Sequence, residues 1–491
     1  MKIKFDVTPT EFIIIKDILK KYLTKDCKAY VFGSRAKSSS LHGSDLDLAL
    51  ECKEKIDFKK LSKIKIDFED SRLPYMVDVI DLQATKEYFK NMIEKEMIEF
   101  PLGKLERVPE LRFKEFSGEW EEKRLGNITS KIGSGKTPKG GDRVYLQSGI
   151  SFIRSQNVIN DKLVLDNICI SEDTHLEMKN SKVIANDILL NITGGSIGRS
   201  CIVPDDFLEG NVNQHVSIIR LKKDIPKFVQ SLLSSWRGQK LIFQGQTGSG
   251  REGINFESIK NFKIYLPSKQ EQQKIASFLT TVDKKIDQLT KKVELQEQYK
   301  KGVMQKIFKQ EIRFKNDDGS EFDEWEEKRL GKTCHITTGK LDANAMVENG
   351  KYRFYTCAKD YYLIDTYEFN TNALIISGNG ANVGYIHHYN GKFNAYQRTY
   401  VLDNFQDNII FIKYLLDKFL YRRILKEKKE GNTPYIVMST LSDMKINLPS
   451  LEEQNKIADF LSTLDKQIDS TKKQLAKTKE FKKGLLQSMF V

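Results

Sequence analysis

The chain has 491 residues, of which 39% are hydrophobic and 30% are charged. That length suffices for about three or four domains of ordinary size, each with its own core. No apolar run approaches the roughly 20 residues of a membrane helix, and the start MKIKFDVTPT lacks the apolar core of a secretory signal. We therefore expect a cytoplasmic protein with no membrane partner.

The six cysteines form no CxxC pair and have no zinc-ligand spacing. We expect six reduced thiols, with neither a disulfide nor a structural zinc. The net charge of +13 lies almost wholly outside residues 1–100, which carry 19 Lys+Arg against 18 Asp+Glu. A basic surplus favours a polyanionic partner such as DNA, although a lysine-rich surface that binds nothing has the same composition.

Residues 31–50, VFGSRAKSSSLHGSDLDLAL, place a Gly-Ser turn ahead of an alternating acidic strand. Alternation puts Asp45 and Asp47 on one face of that strand, about 7 Å apart. A third carboxylate comes from the strand-like stretch YMVDVIDL, where we choose Asp78 over the alternative Asp81. Such carboxylates bind one or two magnesium ions, and a small turn lets a triphosphate approach the backbone.

This pattern resembles the minimal nucleotidyltransferase family over about 100 residues. The resemblance implies a small α/β domain, residues 1–103, that uses Mg²⁺ and ATP or another nucleoside triphosphate to transfer a nucleoside monophosphate to an acceptor. Small members of the family often serve as antitoxins that modify a partner protein. A domain that keeps the fold without the activity is the alternative. The resemblance implies that the catalytic, metal-binding carboxylates are Asp45, Asp47 and Asp78, and that the nucleotide is bound by Gly33, Ser34 and Arg35.

A mixed-charge segment with prolines, FPLGKLERVPELRF, comes next and is predicted to be a linker. Beyond it the heptapeptide WEEKRLG occurs twice, at residues 120–126 and 325–331. Residues 263–308 likewise match residues 445–490 without a gap, with 23 identities in 46 positions. Two copies indicate a pseudo-dimer rather than a solenoid.

The segments between these markers contain short β-like runs separated by Gly and Asn turns. They predict two mixed, mostly β domains, residues 104–265 and 311–447. The stretch SKIGSGKTP in the first of them is not a P-loop, because that motif requires glycine where Ser130 stands and Pro138 interrupts the helix that should follow.

A long helix is predicted after each domain, in residues 266–310 and 448–491. Apolar residues recur there in steps of four and three, which is the pattern of a coiled-coil seam. The first seam consists of Ile275, Leu279, Val282, Ile286, Leu289 and Val293, and the second of Ile457, Leu461, Leu464, Ile468 and Leu475 with Thr471 as an interruption. We expect an antiparallel coiled coil about a twofold axis, with a helix from Lys269 to Phe308 spanning about 60 Å.

The architecture of residues 105–491 resembles the specificity subunit of type I restriction-modification systems. The resemblance depends on VPELRFKEFSGEWEEKRLG, the paired YLPS and NLPS helices, GISFIRSQNV and GGSIGR, in that order and duplicated. It implies an α+β multidomain protein with a noncatalytic, cofactor-free body. Two target recognition domains would read the halves of a split, asymmetric site in double-stranded DNA, and the helices would set the spacing. The implied partners are two methylase subunits and two restriction (motor-nuclease) subunits.

Base reading favours Arg, Lys, Asn and Gln, which make bidentate contacts to guanine and adenine edges. The candidates in the first domain are Arg154, Gln156, Asn157, Arg199, Gln214 and Arg251, and those in the second are Lys359, Asn379, Asn382, Gln397 and Arg398. Each could instead be an ordinary surface residue or contact a phosphate. Two other functions stay open: an active nucleotidyltransferase tethered to a nucleic-acid-binding body, and a coiled-coil hub for proteins alone.

Overall fold

The computed structural model describes residues 5–24, 26–37, 44–102, 108–159, 161–247, 253–427 and 434–491. It divides into two compact units, residues 1–278 with 483–491, and residues 279–482. Among the described helices, none is both long enough and apolar enough to cross a bilayer.

The first unit opens with a small α/β domain. Its elements are α1 (Pro9–Tyr22), β1 (Lys28–Phe32), β2 (Leu46–Glu51), α2 (Phe58–Glu69), β3 (Val77–Asp81), α3 (Glu87–Glu94) and β4 (Ile98–Phe100). The strands form one sheet in the order β3-β2-β1-β4, in which only β2 and β3 run parallel. Leu46, Leu48 and Leu50 alternate along β2 and are fully buried against Ile15 and Leu19 of α1. The face of β2 opposite the two acidic residues is therefore the buried one, as the alternation predicts.

A disulfide joins two cysteines at the far end of the β1–β2 pair. Cys27 precedes β1 and Cys52 follows β2, and the antiparallel register pairs the neighbouring Lys28 with Glu51. The two Cα atoms lie 4.1 Å apart and the sulfurs are bonded. The expectation of six reduced thiols is therefore wrong for this pair. Cys169, Cys201, Cys334 and Cys357 are free.

The first mostly β domain follows in the same unit. Its strands are β5 (Glu121–Arg124), β6 (Thr129–Ser134), β7 (Ile150–Ile153), β8 (Val158–Ile159), β9 (Lys162–Leu163), β10 (Cys169–Ile170), β11 (Lys182–Val183), β12 (Ile188–Asn191), β13 (Ser200–Ile202), β14 (Gly210–Val212), β15 (Val216–Leu221), β16 (Gln246–Thr247), β17 (Gly253–Ile254) and β18 (Lys263–Leu266). Its helices are α4 (Leu125–Ile128), α5 (Glu172–Glu177), α6 (Pro226–Ser234), α7 (Trp236–Gln244) and α8 (Phe256–Lys260). Two four-stranded sheets, β10-β7-β14-β11 and β13-β12-β15-β6, enclose a core that includes Ile153, Leu189, Val212 and Ile218. An ion pair of 3.3 Å from Lys240 of α7 to Asp17 of α1 links this domain to the α/β domain.

The second mostly β domain belongs to the second unit. Its strands are β19 (Glu326–Arg329), β20 (His335–Thr338), β21 (Tyr352–Tyr355), β22 (Tyr362–Ile364), β23 (Phe369–Ser377), β24 (Ile386–Ala395), β25 (Thr399–Asp403) and β26 (Lys445–Leu448). Its helices are α10 (Ile409–Glu427) and α11 (Met438–Ser442). One six-stranded sheet, β20-β25-β23-β24-β21-β22, packs against α10 through Leu374, Ile376, Phe411 and Leu415.

The repeated heptapeptide has the same structural role in both copies. In the first unit its residues Glu121–Arg124 form β5, which pairs with β18 just before a long helix. In the second unit Glu326–Arg329 form β19, which pairs with β26 before the other long helix. The heptapeptide is therefore conserved between the copies as the strand that ties each mostly β domain to its helix.

The long helices are α9 (Lys269–Phe308) and α12 (Leu451–Ser488). Within the second unit they run antiparallel, because the paired residues rise along one helix as they fall along the other. The ion pairs are Lys300–Asp465 at 2.5 Å, Glu297–Lys472 at 2.7 Å and Asp283–Lys482 at 2.7 Å. Seam residues that are buried include Leu279, Val282, Leu289, Ile457, Leu461, Ile468 and Thr471. The expected antiparallel helix pair and the α+β multidomain class are confirmed, while the coiled coil stays a prediction.

Candidate functional site

Three carboxylates lie along one part of the N-terminal sheet. The parallel register of β2 and β3 places Asp47 directly opposite Asp78, and Asp45 lies two residues earlier on the same face as Asp47. Burial raises the pKa of the Asp47 carboxyl above its usual range, and the charges of Asp78 and Asp45 raise it further. The predicted trio is thus close enough for mutual repulsion, which is a feature of carboxylate sites that bind cations.

Gly33 is required by the geometry of this part of the sheet. Its φ is +75°, a conformation that residues with a β carbon rarely adopt. A β carbon at this position would also collide with the carboxylate of Asp47, which the β1–β2 register places opposite Phe32. Ser34 follows directly in the same turn. The Gly-Ser turn therefore lies against the carboxylate of Asp47.

Arg35 does not have the role predicted for it. It is buried, its guanidinium donates hydrogen bonds to the backbone carbonyls of Ser44 and Asp6 at 2.9 and 2.8 Å, and it stacks on the ring of Tyr75 at 3.6 Å. These contacts hold together the backbone on either side of the site. We therefore remove Arg35 from the residues expected to contact phosphate.

Asp78 is a better third acid than Asp81. Asp81 is buried and its carboxylate accepts hydrogen bonds from the backbone N–H groups of Ile56 and Gln83, so it is used inside the fold. Asp78 is exposed and forms an ion pair with Lys65 at 3.1 Å. Within the described part of the chain, no three His, Cys, Asp or Glu side chains are gathered as a metal-ligand set. The trio lies along one part of the sheet, but its oxygens do not converge in this conformation.

In the first mostly β domain the loop after β7 carries three of the predicted residues. Arg154 and Gln156 both donate to the carboxylate of Asp166, at 2.5 and 3.2 Å. Asn157 is buried, and its amide donates to the carbonyl of Val164 and accepts from the backbone of Arg154. It fixes the turn, and we drop it from the DNA-contacting set.

Hydrogen bonds bring the other predicted loops of this domain beside that turn. The Asn191 amide donates to the Ser155 carbonyl and to the Ser196 hydroxyl, which joins the turn to the glycine loop that carries Arg199. Arg199 is exposed, and so is Gln214, which accepts a hydrogen bond from Thr137. Arg251 lies outside the described residues.

The second mostly β domain brings its five predicted residues together. The Asn382 amide donates to the Cys357 carbonyl, next to the loop residue Lys359. Gly378, the neighbour of Asn379, donates its backbone N–H to the Arg398 carbonyl at 2.9 Å. Gln397 donates to the carboxylate of Asp342 at 2.9 Å. These residues therefore form one surface, with exposed Lys359, Gln397 and Arg398.

Comparison with known proteins assigns the chain to a protein family. The family model described as "Type I restriction modification DNA specificity domain" matches residues 117–297 and 322–480, more than half of the chain. The chain belongs to this specificity-domain family. The model "Polymerase beta, Nucleotidyltransferase" matches residues 14–99, the α/β domain that carries the carboxylate trio.

Relatives divide between the two parts of the chain. The Escherichia coli type I restriction enzyme EcoDI specificity subunit is 37% identical over 166 residues, which are 34% of this chain and 37% of that protein. The MjaVIII specificity subunit of Methanocaldococcus jannaschii is 24% identical over 77% of this chain and 94% of its own length. The probable protein adenylyltransferase MntA of Haemophilus influenzae is 38% identical over 92 residues, which are 19% of this chain and 80% of that protein. The first of these comparisons thus spans little more than a third of the relative.

A solved structure supports the fold assignment. The type I restriction-modification S subunit from M. genitalium superposes with a TM-score of 0.54 at 18% identity, over 78% of this chain and 99% of that one. The chain is thus a member of the type I specificity-domain family with the fold of that S subunit, and its N-terminal end carries a nucleotidyltransferase-like domain.

One part of the second specificity domain was missed by sequence reasoning. The guanidinium of Arg353 lies 4.3 and 4.4 Å from the rings of Tyr361 and Tyr389, and Tyr361 is 46% exposed. His387 contacts the Ala358 carbonyl, so this aromatic cluster adjoins the loop of Lys359. Exposed aromatic rings stack on bases or sugars at low conformational cost. The dense tyrosines of YRFYT and KDYYLIDTY were the available signal.

Proposed function

We propose that the chain directs a type I restriction-modification complex to a bipartite, asymmetric site in double-stranded DNA. Each specificity domain contacts one half-site through its loop surface, and the helix pair fixes the spacing. The body does no chemistry itself. Methylation and cleavage belong to two methylase subunits and two restriction subunits.

The observation that carries the proposal is the convergence of unlike polar loops in two domains that share one scaffold. The exposed set is Gln156, Arg199 and Gln214 in the first domain and Lys359, Gln397 and Arg398 in the second. The scaffold strands and helices repeat in sequence while these loops differ. Since base reading depends on the donors and acceptors presented to the groove, unlike loops favour unlike half-sites.

A DNA titration of the chain with its methylase tests this proposal. The logarithm of the affinity should fall with the logarithm of salt concentration with a slope of about −5 if about six phosphates are contacted. Arg199→Ala should relax base preference in one half-site and Arg398→Ala in the other, each by about 1–3 kcal/mol. Lys263→Ala, on the exposed face of the scaffold strand β18, is the control. Salt-independent binding, or equal loss of preference in both halves, would contradict the proposal.

A second function is proposed for the N-terminal domain: transfer of a nucleoside monophosphate from MgATP or MgGTP to a protein acceptor. The carboxylate trio and the adjacent Gly-Ser turn support it, since hard oxygen ligands suit Mg²⁺ and a glycine lets a ligand approach the backbone. Asp45, Asp47 and Asp78 would hold the ion, which supplies charge neutralisation at the transferred phosphoryl group. Gly33 and Ser34 would bind the nucleotide.

Label transfer from radiolabelled MgATP or MgGTP to the chain itself or to its partner subunits tests this second proposal. Wild type should transfer the label, and the variant with Asp45→Asn and Asp47→Asn should not. Asp70→Asn, at the exposed C-terminal end of α2, is the matched control and should behave as wild type. Absence of transfer by wild type from either nucleotide would contradict the proposal and leave the DNA-targeting function untouched.

A further inference from the structure

Arg353 lies on the face of the six-stranded sheet that is directed away from α10. Along β23, Ile376 packs against α10, while its neighbour Ile375 belongs to a separate cluster on the opposite face. Tyr355 of β21 is a member of that second cluster. Arg353 precedes Tyr355 by two residues on the same strand, so both side chains lie on the same face.

Three tyrosines hold the Arg353 guanidinium in place. Its central carbon lies 4.3 Å from the ring centroid of Tyr361 and 4.4 Å from that of Tyr389. Its Nη1 donates a hydrogen bond of 3.3 Å to the hydroxyl of Tyr355, which is only 2% exposed. Arginine stacks well on aromatic rings because its planar guanidinium is weakly hydrated. The side chain is therefore ordered before a ligand binds, which lowers the entropic cost of binding.

The positive charge of Arg353 is not neutralised by an acid. Three other arginines of the second unit pair with carboxylates, namely Arg313 with Glu453, Arg329 with Asp443 and Arg423 with Glu427. Within the part of the chain that the structure describes, Arg353 has no such ion pair, and its hydrogen bond is to a neutral hydroxyl. A guanidinium carries several N–H donors, so most of them remain for an acceptor that the chain does not supply.

The loop after β21 connects Arg353 to the candidate DNA surface of this domain. Tyr361 belongs to this loop, and so does Lys359. The thiol of Cys357 in the same loop donates to the backbone carbonyl of Arg398 at 3.5 Å. Arg353 and its tyrosines therefore border the surface that presents Lys359 and Arg398.

The first specificity domain has a different residue at the position of Arg353. Both domains pair two strands in parallel ahead of a glutamine, β7 with β14 before Gln214 and β21 with β24 before Gln397. Ser151 pairs with the residue four positions before Gln214, and Arg353 pairs with the residue four positions before Gln397. A serine hydroxyl cannot make the two parallel hydrogen bonds of a guanidinium. The two domains therefore differ here in the acceptor that they can recognise.

We propose that Arg353 reads a guanine in the half-site of the second specificity domain, and that Tyr361 and Tyr389 position its guanidinium. The inference rests on the proposed DNA-targeting function and assigns a base to one of its half-sites. Paired donation to O6 and N7 of guanine is the commonest specific contact of a basic side chain with a base. A guanidinium held in one orientation matches that planar edge, whereas a flexible lysine such as Lys359 suffices for a phosphate.

The test maps the methylated motif and measures DNA affinity for the full-length chain with its methylase. Arg353→Ala should relax one guanine position, where wild type prefers guanine by about tenfold or more, and leave every other position and the spacing unchanged. That position should lie in the half-site that Arg199→Ala does not affect. Arg353→Lys should lose the same preference, because an ammonium keeps the charge but not the paired donors.

The tyrosines and a second arginine supply the controls. Tyr361→Ala should weaken the preference at the same guanine, and Tyr361→Phe should retain it because the ring remains. Arg422→Ala removes an exposed arginine from α10, on the other side of the sheet, and should leave the motif unchanged. Thermal unfolding shows whether each variant is folded. If Arg353→Ala does not fold, Arg353→Lys and Tyr361→Ala decide the test.

Three results would overturn the inference and leave the targeting function intact. The first is an unchanged motif in Arg353→Lys and Tyr361→Ala. The second is relaxation at a position where wild type does not prefer guanine. The third is a uniform loss of affinity in Arg353→Ala that lowers the salt slope by about 1 and is restored by Arg353→Lys, which would assign Arg353 to a phosphate. If wild type produces no motif of two unlike halves, the proposed function itself fails.

Discussion

Lys300 on α9 lies 2.5 Å from Asp465 on α12, and the internal repeat returns the same contact between Lys482 and Asp283 at 2.7 Å. Residue i of one copy contacts residue j of the other, and j contacts i, which defines an isologous interface. The two helices of one chain thus pair as the helices of a homodimer would. This reciprocity requires the antiparallel arrangement, and a parallel pair could not make both contacts.

Charge reversal tests this reciprocity. Lys300→Glu or Asp465→Lys alone should lower the unfolding midpoint of the helix pair by a few degrees, because each places like charges together at a partly exposed site. The double variant restores an attractive pair and should recover most of the loss, with a coupling of about 1 kcal/mol. Thermal unfolding followed by circular dichroism gives the midpoint. Additive losses in the double variant would show that the two side chains do not interact.

Gly33→Ala should disrupt the candidate nucleotide site, although it adds only one methyl group. The added β carbon must adopt a φ of +75° and displace the carboxylate of Asp47, so we expect a loss of about 1–3 kcal/mol of stability together with Mg²⁺ affinity. Gly302→Ala is the matched control, because Gly302 lies within α9 with open space around it. It should be neutral or stabilising by up to about 1 kcal/mol. Denaturant unfolding and Mg²⁺ titration measure the two effects, and equal behaviour of the two variants would contradict the account.

Asp47→Asn should stabilise the N-terminal domain at neutral pH. Burial and the charges of Asp78 and Asp45 raise the folded-state pKa of Asp47 above its ordinary value of 3.8. Its ionised form is thus disfavoured by folding, and wild-type stability falls as pH rises from that ordinary value through the raised pKa. The advantage of the variant should be full above the raised pKa and vanish below about 3.8. Unfolding midpoints of both proteins from pH 3 to pH 8 measure this difference in stability. A stabilisation by Asp47→Asn that grows as the pH falls would contradict the prediction.

Magnesium should reverse the order of stability of wild type and Asp47→Asn. Because a bound cation stabilises the ionised carboxylates, millimolar Mg²⁺ should raise the midpoint of wild type and leave that of Asp47→Asn little changed. A matched experiment with Asp70→Asn should show the wild-type response. Identical Mg²⁺ responses of wild type and Asp47→Asn would exclude Asp47 as a ligand.

The disulfide predicts a thiol count. With Cys27 and Cys52 bonded and the other four cysteines free, protein unfolded without reductant should present four reactive thiols, and six after reduction. Closing a loop of this size contributes about 3 kcal/mol, so reduction should lower the unfolding midpoint of the N-terminal domain. The double variant Cys27→Ser with Cys52→Ser should have the unfolding midpoint of reduced wild type, and reductant should not change it. Six reactive thiols without reductant would show that the bond does not form.

Local patterns in the sequence predict the features that depend on periodicity. The spacing of Ile275, Leu279 and Val282 determines which face of α9 is buried, and the alternation at Asp45 and Asp47 determines which face of β2 is acidic. Neither requires knowledge of distant residues, since a helix or strand repeats its own geometry.

Features that depend on distant partners could not be predicted in this way. The sequence predicts that Asn157 reads bases, but in the fold its side-chain amide donates a hydrogen bond to the backbone carbonyl of Val164. The sequence predicts that Arg35 contacts phosphate, but in the fold its guanidinium is held by the backbone carbonyl of Asp6 and the ring of Tyr75. Cys27 and Cys52 become neighbours only through the register of two strands. In each case the deciding contact lies across a fold that spacing along the chain does not specify.

The central claim, that two unlike specificity domains on one helix pair target a split DNA site, is tested most directly by mapping methylated bases in cells that carry the chain and its methylase. Wild type should produce one motif made of two unlike halves at a fixed spacing. Arg199→Ala combined with Gln214→Ala should relax one half and leave the other half and the spacing unchanged. Methylation at a single continuous motif, or relaxation of both halves by this one variant, would contradict the account.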